Sequence, residues 1–273
     1  MATKAFAPAK INLTLHVTGR RDDGYHLLDS LVVFADLGDQ LTFNSGPVLS
    51  LEVGGEFADG VPTDKRNLVW KAAEGVGWTG QIELRKSLPH GAGIGGGSSD
   101  AAATLCALAQ QGHAVPPDLP LSLGADVPVC QKGRAIRMQG IGDQLVAVNL
   151  PHLPALLVNP NVHVPTGAVF NALASRDNPA MPENIPEFQN ANDCALWLSD
   201  QRNDLEVPAM GAAHEIEQVL DTLQTTNRAL IARMSGSGST CFALYPTMKD
   251  AHFAAYEIGA AHPDWWCRAT QLN

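Results

Sequence analysis

Five glycines between residues 91 and 97 constrain this chain more than any other feature of its sequence. They lie in LPHGAGIGGGSSDAA, residues 88–102, between the strand-like segment QIELRKSLP and a helix that we predict over residues 98–112. A glycine-rich turn that leads into a helix leaves backbone N–H groups free and directs the positive end of the helix dipole at a bound anion. The segment predicts a phosphate-binding loop whose helix is capped by the Ser-Ser-Asp run. A flexible surface loop is the alternative.

Two well-known phosphate-binding patterns do not fit this loop. The Walker A pattern requires a lysine directly after its last glycine, and none is present here. Gly91, Gly93 and Gly96 match the spacing of a dinucleotide-binding turn, but that fold also needs a second parallel strand with an acidic residue about 20 positions further on. The segment HAVPPDLP, which follows Gly112, contains three prolines and places Asp118 in a turn. A nicotinamide cofactor is therefore excluded.

The length of the chain and the order of its elements favour two lobes with an α+β fold. A single core stops growing at about 250–300 residues, and the chain has 273 residues, of which 45% are hydrophobic. Strand-like and helix-like segments are mixed in two blocks, and PHLP at 151–154 is interpreted as the linker between them. We predict an N-terminal lobe over residues 1–150 and a C-terminal lobe over residues 151–273.

Hydrophobic periodicity predicts the elements within these lobes. INLTLHVT, residues 11–18, alternates strictly and predicts a strand with one buried face. Short connections to the strands that follow predict an antiparallel opening sheet, and Asn67 is the predicted N-cap of a helix. Further strands are predicted over 27–36, 39–46, 48–55, 81–89, 154–160, 228–234 and 240–246, with a hairpin over 133–148. Helices are predicted over 67–78, 98–112, 166–174, 191–200, 212–224 and 248–261.

Charge and cysteine content exclude several classes of protein. The 18 Lys and Arg residues against 28 Asp and Glu residues give a net charge of −10, without the basic cluster that a nucleic-acid partner requires. The five cysteines form no CxxC pair, so no zinc site is predicted. No apolar stretch approaches the ~20 residues of a membrane helix. We expect a cytoplasmic protein that binds a small anion and neither nucleic acid nor membranes; its oligomeric state is left open.

Three motifs together resemble those of the GHMP kinases, a family of ATP-dependent kinases of small molecules. They are PAKINL at 8–13, GIGGGSSDAA at 94–103 and SGSGST at 235–240. GYH, with GADVP at 124–128 and NDLE at 203–206, is similar to the branch of the family whose substrate is a cytidyl diphosphate of a sugar alcohol. The resemblance implies a two-lobed GHMP kinase fold, in which an N-terminal lobe resembling ribosomal protein S5 domain 2 precedes a ferredoxin-like C-terminal lobe. It also implies ATP and Mg²⁺ as cofactors.

The resemblance assigns the catalytic pair. Phosphoryl transfer to an alcohol needs charge neutralisation, alignment and a group that accepts the hydroxyl proton. Asp126 stands among small and apolar residues in GADVP, a context that by itself fits a turn or capping aspartate. The family's catalytic aspartate matches Asp126, and its PAK lysine matches Lys10. The resemblance therefore implies that Asp126 accepts the proton or holds Lys10 in place, while Lys10 lowers the pKa of the substrate hydroxyl.

The resemblance also assigns the nucleotide residues. Backbone N–H groups of the loop are expected to cradle the β- and γ-phosphates, and Mg²⁺ is assigned to Ser98 or Ser99, for which helix capping is the alternative. The residues assigned to ATP are Asn67, Pro89, His90, Gly91, Ala92, Gly93, Ile94, Gly95, Gly96, Gly97, Ser98 and Ser99.

Five residues are assigned to the substrate. Asn12, Tyr25 and His26 match the family's cytidine-binding segment, where an imidazole offers a donor and an acceptor and a tyrosine ring can stack on a base. Phe170 matches a further aromatic of that site, and Thr166 is expected to contact the same ligand. The SGSGST turn either closes over the substrate diphosphate or supports the glycine-rich loop.

Two departures from the family pattern and two rival functions accompany this reading. GYH is not followed by an aromatic residue until Phe34, and the segment 112–124 is short and Pro-rich, which predicts a reduced lid over the nucleotide.

The first rival function is that of another GHMP kinase, acting on mevalonate, homoserine or a sugar. The second is a sensor that binds nucleotide without turnover, which would be expected to lack Asp126 or Lys10.

Overall fold

The computed structural model describes residues 2–273 and divides into two compact units. Unit 1 consists of the chain up to Lys10, Leu37–His90 and Gly95–Gly133, and unit 2 consists of Ile11–Asp36, Gly91–Ile94 and Arg134–Asn273. The predicted lobes, 1–150 and 151–273, divide the linear sequence once, whereas each compact unit combines three separate stretches. The boundary at residue 150 stays a prediction.

Eleven strands and nine helices lie within residues 2–273. The strands are β1 (Thr3–Asn12), β2 (His16–Arg20), β3 (His26–Ser45), β4 (Ser50–Gly55), β5 (Gly80–Lys86), β6 (Ile136–Gly140), β7 (Gln144–Ala147), β8 (Leu153–Asn159), β9 (Ile231–Met234), β10 (Cys241–Leu244) and β11 (Trp266–Leu272). The helices are α1 (Leu68–Gly75), α2 (Gly96–Gln110), α3 (Leu119–Leu123), α4 (Val127–Cys130), α5 (Thr166–Asn171), α6 (Ala191–Ser199), α7 (Glu206–Ala212), α8 (Glu215–Thr225) and α9 (Met248–Ala261).

In unit 1 the sheet is organised around β5. Its side chains alternate: Ile82 and Leu84 are buried, while Glu83 and Arg85 are exposed. The C-terminal half of β3 pairs antiparallel with β5, with Leu41 opposite Leu84, and β4 pairs parallel with β5, with Leu51 opposite Ile82. Helices α1 and α2 pack against each other and complete the apolar core over this sheet.

In unit 2 the central strand is β8, and all seven of its residues are buried. It pairs antiparallel with β10 and β11, and β9 extends the sheet beyond β10. The strand order β11-β8-β10-β9, with α8 and α9 packed against these strands, is that of the β-α-β-β-α-β motif. The ferredoxin-like arrangement predicted for the C-terminal part of the chain is confirmed.

The N-terminal half of β3 also lies in unit 2, where it pairs antiparallel with β2 and β6. The hairpin predicted over 133–148 is confirmed, since β6 pairs antiparallel with β7. Of the residues that the structure describes, none belongs to a helix with both the length and the apolar character needed to cross a bilayer.

One long strand replaces two predicted ones. The predicted strands over 27–36 and 39–46 are a single strand, β3, which has 20 residues and passes through Gly38 without a turn. A Cβ on Gly38 would lie 2.1 Å from the carbonyl oxygen of Ala7. The glycine is therefore required by the close approach of another backbone rather than by chain reversal.

The half-buried strand predicted over 11–18 is interrupted, and its polar face is not exposed. β1 ends at Asn12 and β2 begins at His16, and the polar side chains of this stretch are buried together with the apolar ones: Asn12, Thr14 and His16 are at most 1% exposed. The polar face is buried because it is hydrogen-bonded. Thr14 Oγ1, for example, accepts from Leu31 N–H at 2.8 Å, and a buried polar group with such a partner avoids most of its desolvation cost.

Two smaller predictions fail because the deciding contacts are long-range. The opening sheet is not wholly antiparallel, since β4 pairs parallel with β5. The predicted linker at 151–154 is partly the start of β8, where Leu153 and Pro154 are buried.

The Pro-rich segment after Gly112 forms no strand, as predicted. It ends in the short helix α3, and α4 follows. Each helix has a proline in its first turn, the helical position where a missing N–H costs least.

Candidate active site

The glycine-rich segment forms the connection between β5 and α2. The backbone φ is +54° at Gly91, +72° at Gly93 and +64° at Gly95, a region that glycine occupies without strain. Helix α2 begins at Gly96, with Gly95 as its N-cap and no side-chain capping bond. The prediction that the Ser-Ser-Asp run caps this helix is wrong, because the glycine backbone makes the turn and the serines already lie inside the helix.

The amino end of α2 presents backbone donors. Ser99 N–H donates to the Gly95 carbonyl at 2.8 Å, so the amides of Gly96, Gly97 and Ser98 precede the helical hydrogen-bond ladder. Ser99 is 1% exposed, and its hydroxyl is buried without a hydrogen-bond partner in the structure. Such hydroxyls are rare in folded proteins. Free amides beside an unsatisfied hydroxyl oxygen fit a phosphate group and an oxygen-seeking cation.

Asn67 and His90 flank this region in unit 1. Asn67 is the N-cap of α1, as predicted: its Oδ1 accepts from Val69 N–H at 2.9 Å, and its Nδ2 donates to the Pro62 carbonyl at 2.8 Å. Pro89 is buried, and His90 is exposed with Nε2 3.2 Å from the Asp59 carbonyl. A cavity of about 360 Å³ in unit 1 is lined by Asp64, Lys65, Arg66, Trp70 and Glu74.

Lys10 and Asp126 form an ion pair in unit 1. Lys10 Nζ lies 3.0 Å from Asp126 Oδ2, and the lysine side chain is 5% exposed while the aspartate side chain is 35% exposed. A Cβ on Gly95 would lie 3.1 Å from Lys10 Cε, so the loop backbone packs directly against the lysine stem. Burial raises the pKa of the neighbouring Cys130 thiol, which keeps it neutral beside the pair. One carboxylate edge therefore faces solvent while the ammonium group is held in the interior.

The turn between β9 and β10 supports the glycine-rich loop within unit 2. Ser235 Oγ donates to the Gly93 carbonyl at 3.0 Å and accepts from Asn12 N–H at 3.1 Å. Thr240 N–H donates to the Ala92 carbonyl at 3.1 Å. A Cβ on Gly93 would lie 2.3 Å from the Ser235 carbonyl oxygen. Of the two roles predicted for SGSGST, these contacts correspond to support of the loop.

The NDLE segment holds that serine-rich turn in place. Asn203 Nδ2 donates to the carbonyls of Met234 and Gly236, both at 2.9 Å. Glu206 accepts from Met234 N–H at 2.8 Å, and burial raises the pKa of its carboxyl group. Its neighbour Asp204 accepts from Val17 N–H at 2.7 Å. The NDLE motif therefore holds β2 and the turn between β9 and β10 by hydrogen bonds to their backbone groups.

His26 and Phe170 form a stacked aromatic pair in unit 2. Their ring centroids are 4.7 Å apart with an interplanar angle of 27°. His26 Nε2 is buried without a hydrogen-bond partner in the structure. Desolvation, with smaller contributions from Arg20 and Arg176, lowers the pKa of His26, which favours the neutral ring. A neutral imidazole with an unsatisfied nitrogen can recognise a polar group of a ligand.

The other three residues assigned to the substrate differ in exposure. Tyr25 is 59% exposed. Asn12 is 1% exposed, and its side chain donates to Ser30 Oγ at 2.8 Å. Thr166 is exposed, and its hydroxyl lies 2.9 Å from Ser237 Oγ. The structure thus brings Thr166 to the serine-rich turn and places Asn12 inside the fold, where it supports Ser30 and Ser235.

Sequence reasoning missed a buried charge cluster in unit 1. Lys86 forms ion pairs with Asp39 and Asp100, and the three side chains are at most 5% exposed. The signal was available in the alternation of β5, because Lys86 follows Ile82 and Leu84 at the same two-residue spacing and so occupies an inward-facing position. A lysine at such a position requires a buried carboxylate partner.

Comparison with known proteins agrees with this architecture. Residues 67–149 match the model of the GHMP kinases N terminal domain, and residues 183–264 match that of the GHMP kinases C terminal. A crystal structure of 4-(cytidine 5'-diphospho)-2C-methyl-D-erythritol kinase superposes with a TM-score of 0.80 at 33% identity, covering 99% of both chains. Homoserine kinase from Cytophaga hutchinsonii superposes with a TM-score of 0.66 at 18% identity, covering 98% of this chain and 94% of that one. The second likeness shows the fold alone.

The chain therefore belongs to the GHMP kinases, which are ATP-dependent kinases of small molecules, and the predicted two-lobed α+β GHMP kinase fold is confirmed. Within this family it belongs with the 4-diphosphocytidyl-2-C-methyl-D-erythritol kinases. The relative of that name from Dinoroseobacter shibae is 56% identical over 271 residues, which cover 98% of this chain and 94% of the relative.

Proposed function

We propose that this chain transfers the γ-phosphoryl group of ATP to the 2-hydroxyl of 4-diphosphocytidyl-2-C-methyl-D-erythritol, a step of the methylerythritol phosphate route to isoprenoid precursors. The observation that carries the proposal is the Lys10–Asp126 ion pair, packed against Gly95 where the phosphate loop passes into α2. The names of the relatives and of the superposed structure support the substrate. The cytoplasmic location and the absence of nucleic-acid and membrane partners remain predictions.

ATP binding is assigned to the loop and the amino end of α2. The amides of Gly96, Gly97 and Ser98 would hold phosphate oxygens, aided by the dipole of a 15-residue helix. Mg²⁺, when bound, would neutralise phosphate charge during transfer. Its protein ligand would be Ser99, whose buried hydroxyl has no other partner in the structure, or Ser98 on the same turn.

Proton removal is assigned to Asp126. Its carboxylate is partly exposed and so available to an incoming hydroxyl, whereas Lys10 is buried and has little conformational freedom. Asp126 accepts the hydroxyl proton as the oxygen–phosphorus bond forms, and Lys10 stabilises the negative charge that develops on the attacking oxygen. The ion pair also fixes the orientation of the carboxylate before substrate arrives, which reduces the reorganisation needed in the transition state.

Recognition of the cytidyl group is assigned to unit 2. The His26–Phe170 pair would present an aromatic face and the free Nε2 to the base, and the exposed Tyr25 would add a second stacking surface. Thr166, at the serine-rich turn, would contact the same ligand. Asn12 would contribute by holding Ser30 and Ser235.

A coupled assay of ADP release tests the proposed function. Purified protein with ATP and Mg²⁺ is expected to turn over 4-diphosphocytidyl-2-C-methyl-D-erythritol and to leave mevalonate, homoserine and galactose unphosphorylated. Turnover of one of these alcohols in place of the cytidyl substrate would identify a different GHMP kinase. Nucleotide binding without phosphorylation of any acceptor would identify a sensor and overturn the proposal.

Replacing Gly95 with alanine is expected to weaken ATP binding about tenfold, because a Cβ is strained by roughly 1–2 kcal/mol at positive φ. That Cβ would also press on Lys10 Cε and Cβ at 3.1 and 3.2 Å. Gly133→Ala is the matched control, since Gly133 has a similar φ of +58°, nothing lies within 4 Å of a Cβ there, and the residue is not assigned to ATP. Titration calorimetry with ATP compares the two variants, and equal losses of affinity would contradict the assigned role of the Gly95 conformation.

Replacing His26 with alanine is expected to raise KM for the cytidyl substrate about 5- to 100-fold, the loss that follows from removing one base-stacking partner. KM for ATP should remain near its normal value. His252→Ala, an exposed histidine on α9, is the control. A His26→Ala variant with unchanged KM for the cytidyl substrate would remove the stacked pair from the substrate site.

A further inference from the structure

The Lys86 cluster contains three charged side chains in the interior of unit 1. Lys86 Nζ donates to Asp39 Oδ2 and, at 2.7 Å, to Asp100 Oδ2. Their side chains are 5%, 0% and 4% exposed. With both carboxylates ionised the cluster has a net charge of −1, and Asp100 Oδ1 is buried without a hydrogen-bond partner in the structure.

Such a cluster is an inefficient way to stabilise a fold. Removing charges from water carries a large desolvation cost, and apolar side chains of similar volume often serve stability as well or better. Desolvation, with a smaller contribution from the charge of Asp39, raises the pKa of Asp100 to about 7, so the buried site disfavours the charged form of this carboxyl group. Stability alone therefore does not account for this cluster, and its bonds to neighbouring segments indicate a second role.

The cluster bonds to the backbone at the entrance of the glycine-rich loop. Asp39 Oδ1 accepts from Ser87 N–H at 2.5 Å and from Leu88 N–H at 3.0 Å. These two amides directly precede Pro89, the first residue of the loop that is assigned to ATP. Because Asp39 lies on β3 and is fully buried, the entrance of the loop is fixed to the sheet of unit 1 by a charged acceptor.

The same cluster bonds to the exit of the loop. Asp100 lies one turn inside α2, and its ion pair with Lys86 connects the helix to the end of β5. A Cβ on Gly96, the first residue of α2, would lie 3.5 Å from Lys86 Nζ and 3.9 Å from Asp39 Oδ2. The charges therefore lie directly beneath the amides that begin the helix.

We propose that Lys86, Asp39 and Asp100 are positioning residues that join the two ends of the ATP loop and so determine its affinity for nucleotide. The inference rests on the proposed function of that loop. Backbone donors bind a phosphate well only when they are already aligned, and the ion cluster sets the position of the first turn of α2 relative to the end of β5. None of the three residues is assigned contact with the reacting atoms.

The test separates positioning from stability. Lys86→Met/Asp100→Asn leaves the net charge of the cluster at −1 and keeps the bonds of Asp39 Oδ1 to the loop entrance, and it removes the ion pairs of Lys86 with both Asp39 and Asp100. We expect the Kd for ATP with Mg²⁺, measured by titration calorimetry without acceptor, to rise on the order of tenfold. KM for the cytidyl substrate should not change. The milder Asp100→Asn is expected to raise the Kd about threefold.

Asp29→Asn is the matched control. Asp29 forms a buried ion pair with Arg137 at 2.7 Å in unit 2, so its loss should lower Tm without changing ATP affinity. A Lys86→Met/Asp100→Asn variant with a lowered Tm and the ATP affinity of the parent protein would overturn the proposal. Should that variant fail to fold, unchanged affinity in Asp100→Asn would have the same meaning. If the parent protein does not phosphorylate the cytidyl substrate, the proposed function is refuted. The comparison of ATP affinities between the parent protein and its variants would still test the role of the cluster.

Discussion

Asparagine in place of Asp126 is expected to lower kcat by roughly 10²–10⁴-fold, the usual contribution of a positioned acid–base group. The substitution preserves the size of the side chain and removes its charge and basicity. KM for ATP and for the cytidyl substrate should change little, because the interaction is made chiefly in the transition state. The coupled ADP-release assay measures both constants.

Thermal melting of the Asp126→Asn variant should show an intact fold with a lowered Tm, because the buried ammonium group of Lys10 exchanges a charged carboxylate for the amide oxygen of asparagine. Asp118→Asn, an exposed aspartate before α3 with no side-chain capping bond, is the control and should retain full activity. Near-normal kcat in Asp126→Asn would show that alignment of the phosphates alone carries the catalysis.

Methionine in place of Lys10 is expected to lower kcat by roughly 10²–10³-fold, as removal of one preorganised donor to a developing negative charge does in other enzymes. Methionine retains the unbranched apolar stem that packs against Gly95. The Asp126 side chain is 35% exposed, so water can solvate its carboxylate when the lysine is absent. The fold should therefore survive, and circular dichroism with thermal melting checks this.

The double variant Lys10→Met/Asp126→Asn tests whether the two residues act as one unit. Groups that act together are strongly non-additive, so the double variant should lose no more than about tenfold beyond the worse single variant. Losses that multiply in full would show that Lys10 and Asp126 contribute independently, and the assignment of Lys10 as the partner of Asp126 would then be wrong.

Several elements were predictable because their signals are local. The turn before α2 follows from glycines at positions that need positive φ, and Asn67 caps α1 through an amide two residues ahead. The continuous apolar run of β8 and the periodicity of α9 likewise depend only on neighbouring residues. Resemblance of short motifs added the roles of Lys10 and Asp126, and the structure places those two side chains in an ion pair.

Other features were hidden because they depend on partners far away in the sequence. In the sequence Gly38 looks like a turn glycine, but in the structure the backbone of β1 packs against it. The polar residues between 12 and 16 look exposed in the sequence, but in the structure they are buried and hydrogen-bonded. The support given to the glycine-rich loop by Ser235 and Asn203 joins segments that no periodicity relates.

The sequence by itself determined the glycine-rich turn before α2, the class of fold and the kinase family, because glycine conformations, side-chain periodicity and short motifs are properties of contiguous residues. Only the tertiary structure decided that β4 runs parallel to β5, that the serine-rich turn supports the loop, and that Lys86 joins Asp39 to Asp100. The reason is physical: strand pairing and the burial of a charge are decided by the partner that each group finds in space, and that partner is chosen by the packing of the whole unit.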